Sequence, residues 1–110
     1  MKKAVNVYDA LPDETRDELV SAILSGENIR IERIVSTGQI SPEGFWYDQE
    51  EDEWTLLIMG EAELRFKDKI IKMVAGDSVF IPAHTLHRVE KTSIEPPCIW
   101  ICVFGSFGVH

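Results

Sequence analysis

The chain has little of what would staple it, anchor it or draw it to a polyanion. Only two cysteines, Cys98 and Cys102, occur in its 110 residues. Four positions apart on an extended strand, they would stand roughly 13 Å from each other, beyond disulfide reach. Buried free thiols are therefore expected, and reduced thiols suit a cytoplasmic location. Lys and Arg number 11 against 19 acids, a net charge of −8. That balance argues against nucleic acid or an anionic membrane as partner, because either would be repelled. The longest apolar run, Cys98 to Phe104, falls far short of the ~20 residues a membrane span requires. The opening stretch carries Lys2 and Lys3 but no signal-peptide core, since Asp9, Asp13 and Glu14 interrupt it. There is no Gly-rich phosphate loop, no Ser or Cys nucleophile with a base at recognisable spacing, and no internal repeat or low-complexity segment.

What remains is an ordinary globular composition, 45% apolar and 27% charged, in a chain of single-domain length. A chain of this size buries roughly 65% of its unfolded surface, enough to fold without staples. One helix is predicted near the start, over Pro12 to Leu24. Thr15 and Glu18 form a capping-box pair, Asp13 and Glu14 suit the positive helix end, and Leu19, Val20, Ile23 and Leu24 recur at helical spacing before Gly26. Residues 1–27 are thus read as an N-terminal extension and 28–110 as a barrel, one domain in all.

From Ile29 onward the pattern is that of strands. Ile29 to Val35 is β-branched, and Phe45-Trp46-Tyr47 follows a Pro42-Glu43-Gly44 turn. Trp54 to Met59 is apolar on both faces. Ala62, Leu64 and Phe66 alternate with Glu63, Arg65 and Lys67. Ile70 to Val74, Ser78 to Ile81, Leu86 to Lys91 and Ile99 to Phe104 complete a set of short, evenly spaced strands, which predicts an all-β sandwich or barrel. On the last strand Cys98, Trp100, Cys102 and Phe104 share a face, so they should share a wall of the core or of a cavity.

Two segments are more specific. Glu53 is followed after six residues by Gly60, and Gly76 is followed after five by Pro82, with His87 five further on. These spacings resemble the two motifs of the cupin family, G-x5-H-x-H-x3-4-E-x6-G and G-x5-P-x-G-x2-H-x3-N, over roughly Ile29 to Phe104. The resemblance implies a jelly-roll, or double-stranded β-helix, barrel. It also implies a divalent transition metal (Fe, Mn, Ni or Zn) inside the barrel, held in the family by three histidines and one glutamate. Glu53 and His87 match ligand positions. The H-x-H pair does not exist here, and its places fall on Tyr47 and Gln49 or on Trp46 and Asp48. His84 stands where the family has glycine, and Lys91 where it has asparagine.

The candidate metal set is therefore His87 and Glu53, with Gln49 or Asp48 as an oxygen ligand and His84 as a second imidazole. Without metal, Glu53 and His87 form a candidate acid–base pair, the carboxyl raised by an apolar barrel. Plainer readings stand beside these. His87 can be a barrel histidine satisfied by a neighbour. Glu53 can simply end an acidic turn, since five of the six residues 48–53 are acids. Phe45, Trp46, Tyr47 and Trp54 can be packing residues. Two functions follow: a metal-dependent enzyme on a small molecule, of the oxygenase or isomerase kind, or a non-catalytic small-ligand-binding module using the same cavity. A homodimer is expected, because pairing removes an exposed edge strand.

Overall fold

The computed structural model describes residues 4–12 and 17–109 of the chain. Eight antiparallel strands form two sheets. They are β1 (Leu19–Ser25), β2 (Ile29–Ser36), β3 (Asp52–Met59), β4 (Glu61–Phe66), β5 (Ile70–Val74), β6 (Ser78–Ile81), β7 (His87–Thr92) and β8 (Cys98–Gly105). One sheet has the order β1-β2-β8-β3-β6, the other β5-β4-β7. The fold is all-β, as the strand spacing predicted, and has the jelly-roll form that the cupin resemblance implied.

Period-two alternation builds the core. On β4, Ala62, Leu64 and Phe66 point inward while Glu61 and Arg65 face solvent. β8 pairs with β2 on one side and β3 on the other. Being central, it is buried along most of its length, and Cys98, Trp100, Cys102 and Phe104 join Leu57, Leu64, Met73 and Ile81 in one core cluster. Both cysteines are free and buried. On β2, Arg33 turns the other way, and its guanidinium donates to the carbonyls of Val7 and Asp9, laying the N-terminal segment over the outer face of the larger sheet.

Among the described residues of Pro12 to Leu24 the expected helix is not formed. Asp13, Glu14 and Thr15 lie outside the described residues, and Leu19–Ser25 is strand β1, paired antiparallel with β2 from Leu19↔Val35 to Ser25↔Arg30. A lone helix of some 13 residues is marginal in water. The free edge of β2 instead offers a full ladder of backbone partners. Gly26 closes this hairpin, its N–H donating to the Ile29 carbonyl at 2.7 Å, and a register shift between Ala22 and Leu24 breaks strict alternation. Leu19, Val20, Ile23 and Leu24 all remain exposed, and among the described residues the far edge of β1 has no strand partner. Phe45-Trp46-Tyr47 is not a strand either; its ladder is the single bridge Tyr47↔His87.

Gly60, in the β3–β4 turn, adopts φ +90°, and a Cβ there would lie 2.7 Å from the Pro97 carbonyl oxygen and 2.9 Å from Cys98 Cα. Both obstacles are backbone, so neither can swing aside. Gly76 has a similar φ of +99° with nothing within 4 Å. Gly60→Ala is expected to lose about 2 kcal/mol or more, strain plus clash, and Gly76→Ala about 1 kcal/mol, strain alone. Urea unfolding midpoints of the two variants check the difference.

Candidate functional site

Strand alternation carried to one end of the sandwich opens a cavity of about 240 Å³ between the sheets. Arg30, Glu32 and Ile34 of β2, Glu53 and Thr55 of β3, and Trp100, Cys102 and Phe104 of β8 supply one wall. His87, at the start of β7, supplies the opposite side with Val89 and Leu64. Glu18, just before β1, lines the mouth.

The irregular segment between β2 and β3 brings in Tyr47 and Gln49. It has no ladder of its own and is held from outside. Arg88 is buried, and its guanidinium donates to the carbonyls of Ser41 (3.0 Å), Pro42 (2.9 Å) and Phe45 (3.1 Å), and to Glu90 at 2.7 Å. One residue earlier, His87 and Tyr47 exchange backbone hydrogen bonds of 2.7 and 3.3 Å. This fastening decides which alternative faces inward: Tyr47 and Gln49 line the cavity, and Trp46 and Asp48 do not. Trp46 lies under the Lys67 ammonium on the surface, 4.1 Å from ring centre to Nζ.

His87 is 4% exposed. Its ring stacks near Tyr47, centroids 5.3 Å apart, and near Phe66 at 6.0 Å. Nδ1 lies 2.8 Å from the Thr85 carbonyl oxygen. A carbonyl only accepts, so Nδ1 carries the proton and Nε2 of the neutral ring keeps its lone pair. Nε2 faces Glu53 Oε1 at 4.0 Å. Glu53 is 8% exposed; its Oε1 accepts from the Gln49 amide at 3.1 Å, and the Cys102 thiol also donates to the carboxylate. Burial nonetheless wins, pushing the Glu53 carboxyl above its ordinary value of 4.5 against the pull of Gln49 and His87. Burial also pushes the Cys102 thiol up, and Thr55 bonds its sulfur at 3.2 Å, so this cysteine stays a neutral thiol.

His84 and Asp48 sit apart from this cavity. They are exposed and pair with each other, Nδ1 to Oδ1, at 2.7 Å. His84 has φ +61°, a left-handed conformation that explains why glycine suits this position. Its backbone N–H donates to the Gln49 carbonyl at 2.7 Å, so it braces the segment that carries Gln49 without turning its ring inward. The neighbouring loop is tied by Asp52, whose carboxylate accepts from the N–H of Ala83 and of Phe107 and is held below its usual pKa by those bonds.

The family model for the cupin domain matches residues 32–104. The chain belongs to the cupin family. A solved structure from Ralstonia eutropha JMP134, described as a "putative mannose-6-phosphate isomerase", is 35% identical, with a TM-score of 0.92 over 96% of this chain and 100% of that one. A cupin superfamily protein from Desulfitobacterium hafniense DCB-2 shares 17% identity at a TM-score of 0.79, covering 97% of this chain and 94% of that one. An RmlC-like cupin from Desulfovibrio desulfuricans shares 19% at 0.72, covering 96% and 97%. The last two speak to the fold alone. No curated protein matches the sequence.

The donor set does not fit the cupin metal. Tyr47, Gln49, Glu53 and His87 line the cavity, giving one imidazole, one carboxylate, an amide already turned to that carboxylate, and a phenol. Burial, with Glu18 and Glu53 nearby, pushes the Tyr47 phenol up, so it stays protonated. Among the described residues no three of His, Cys, Asp and Glu come together as a metal-holding group. Sequence reading named Glu53, His87 and Gln49 but not Arg88, Arg30, Glu32 or Glu18. Arg88 shows only as a basic residue after His87, Arg30 and Glu32 come from a stretch without motif, and Glu18 was read as half of a capping box.

Arg88→Ala is expected to cost about 3 kcal/mol, the loss of charge-assisted bonds to three carbonyls, with faster amide hydrogen exchange at Tyr47 and His87. Arg88→Lys should not restore it, since an ammonium lacks the guanidinium fork. A second expectation concerns pH. A carboxyl whose folded pKa exceeds its unfolded value takes up its proton first in the native state, so its ionised burial destabilises at neutral pH and the cost fades as pH falls toward 4.5. Relative to the wild type, Glu53→Gln should gain most stability near pH 7 and lose that advantage near pH 4.5. Urea titrations of both proteins across that range would read it.

Proposed function

We propose that this cupin binds a small organic molecule in its barrel cavity and exchanges a proton with it through Glu53 and His87, without a resident transition metal. The carrying observation is the pair itself: Nε2 of a buried imidazole and Oε1 of a buried carboxylate, 4.0 Å apart, both lining the cavity. That gap is beyond a direct hydrogen bond. A ligand atom set between them reaches both at about 2.8 Å, an ordinary hydrogen-bond length.

The chemistry follows from the tautomer and the burial. With its Nδ1 proton given to the Thr85 carbonyl, His87 takes a ligand proton at Nε2, and ionised Glu53 stabilises the imidazolium that forms. Return of that proton to a neighbouring ligand atom leaves an isomer and restores the pair. Gln49 holds Glu53 in place through its amide, which makes it a positioning residue.

The Ralstonia relative raises a phosphorylated sugar as ligand. Among the described residues lining the cavity, Arg30 is the only Lys or Arg. Its Nε donates to Glu32 at 3.1 Å and its Nη1 to Glu51. A phosphate would have to displace two carboxylates to reach it, so the cavity favours a different ligand.

Metal content of the untagged protein tests the proposal, measured by mass spectrometry before and after incubation with Fe(II), Mn(II), Ni(II) and Zn(II). Well below one metal per chain is expected in the wild type, His87→Ala and Glu53→Gln alike. Near-stoichiometric metal in the wild type, lost in both variants, would overturn it in favour of a metal-dependent cupin.

A further inference from the structure

The cavity is rich in hydrogen-bond acceptors, while most of its donors are already committed. Glu18, Glu32 and Glu53 bring carboxylates and His87 brings a lone pair. Most of the donors around them point elsewhere: Arg30 to Glu32 and Glu51, the Gln49 amide to Glu53, and the Ser36 hydroxyl to Glu18 at 3.3 Å, while the Tyr47 phenol and the Trp100 indole add one donor each. Charge is equally one-sided. Arg30 has two carboxylates to itself and lies 4.1 Å over the Phe104 ring. Among the described residues Glu18 has no cationic partner, and Glu53 stands 4.0 Å from an imidazole Nε2 that opens on the cavity, with Arg30 acting on it only from farther off. That nitrogen acceptor, separate from the carboxylates, suits a donor brought by a ligand. The rings of Tyr47 and Trp100 complete the lining.

We infer that the ligand is a small organic cation, an amine whose ammonium N–H groups bond Glu53 and His87 Nε2 while its carbon frame lies against Tyr47 and Trp100. The inference rests on the ligand-binding reading above and adds the ligand's charge. Ammonium supplies several donors and no acceptor, the complement of what lines the cavity, and a desolvated cation gains from aromatic rings. The volume of about 240 Å³ lies below the roughly 300–1,000 Å³ of sites for drug-sized ligands, so the amine is one of few non-hydrogen atoms. Burial raises Glu53 above the ordinary carboxylate value, in keeping with negative charge that a bound cation would relieve.

Calorimetric titration with butylammonium, butanol, butyrate and mannose 6-phosphate tests it, each probe run at the same pH and ionic strength. Butylammonium is expected to bind at least tenfold more tightly than the other three, and Glu53→Gln to weaken it tenfold or more. Arg30→Gln frees the Glu32 carboxylate and is expected to tighten butylammonium several-fold, a gain that damage to the fold would not produce. Circular dichroism and thermal melting verify that both variants are folded. Tighter binding of butyrate or mannose 6-phosphate, lost in Arg30→Gln, would overturn the cation and leave the ligand-binding cavity standing. No binding of any probe at millimolar concentration would overturn both.

Discussion

Everything that distinguishes this cavity depends on how a segment without a strand ladder is held to β7. Residues 41–47 have almost no sheet of their own, so their carbonyls need donors from elsewhere. Arg88 supplies three of these bonds from a single buried guanidinium, and the Tyr47↔His87 bridge supplies the next. Planar, fixed donors impose orientation as well as attraction. The same two adjacent residues therefore contribute an imidazole to the cavity and set which side chains stand opposite it. Without that fastening, Tyr47 and Gln49 would have no reason to face inward in preference to Trp46 and Asp48.

The second constraint is desolvation. Alternation on β3 puts Glu53 on the same face as Thr55 and Leu57, so a carboxylate is buried beside core residues. Its compensation comes from an amide, an imidazole and a thiol, with Arg30 adding a weaker attraction from farther off, and burial outweighs them. That is a costly arrangement for stability and a useful one for proton transfer, since the same burial that destabilises the ion moves its titration toward neutrality. The 35% identity to the Ralstonia protein spans a whole barrel, yet chemistry in this fold is decided by a handful of inward positions. Here two of them are phenol and amide where the family carries imidazoles.

Legibility from sequence was uneven, and the reasons are physical. The strands from β2 onward were readable because period-two patterning, glycine turns and β-branched residues are local signals. Glu53, Gly60, Pro82 and His87 were readable because their mutual spacing is a consequence of strand and turn lengths. Cys98, Trp100, Cys102 and Phe104 fell on one wall because they are alternate residues of one strand. β1 was misread as a helix, since four apolar residues in so short a run fit helical spacing by themselves and only the open edge of β2 breaks the tie.

The amino-acid sequence by itself determined the fold class, the family and two opposed members of the cavity, because each follows from chain-local periodicity or from spacing along the chain. Tertiary structure alone decided the rest. Tyr47 and Gln49 face inward, and His84 and Asp48 pair on the surface, because bonds from Arg88 and His87, more than 30 residues away, orient a segment that has no periodicity of its own. Glu18, Arg30 and Glu32 enter the cavity because β1 and β2 join the larger sheet, which no local pattern announced. The charge balance of the cavity is a property of that assembly: it depends on which carboxylates Arg30 already holds, and such pairings exist only once the strands are in register.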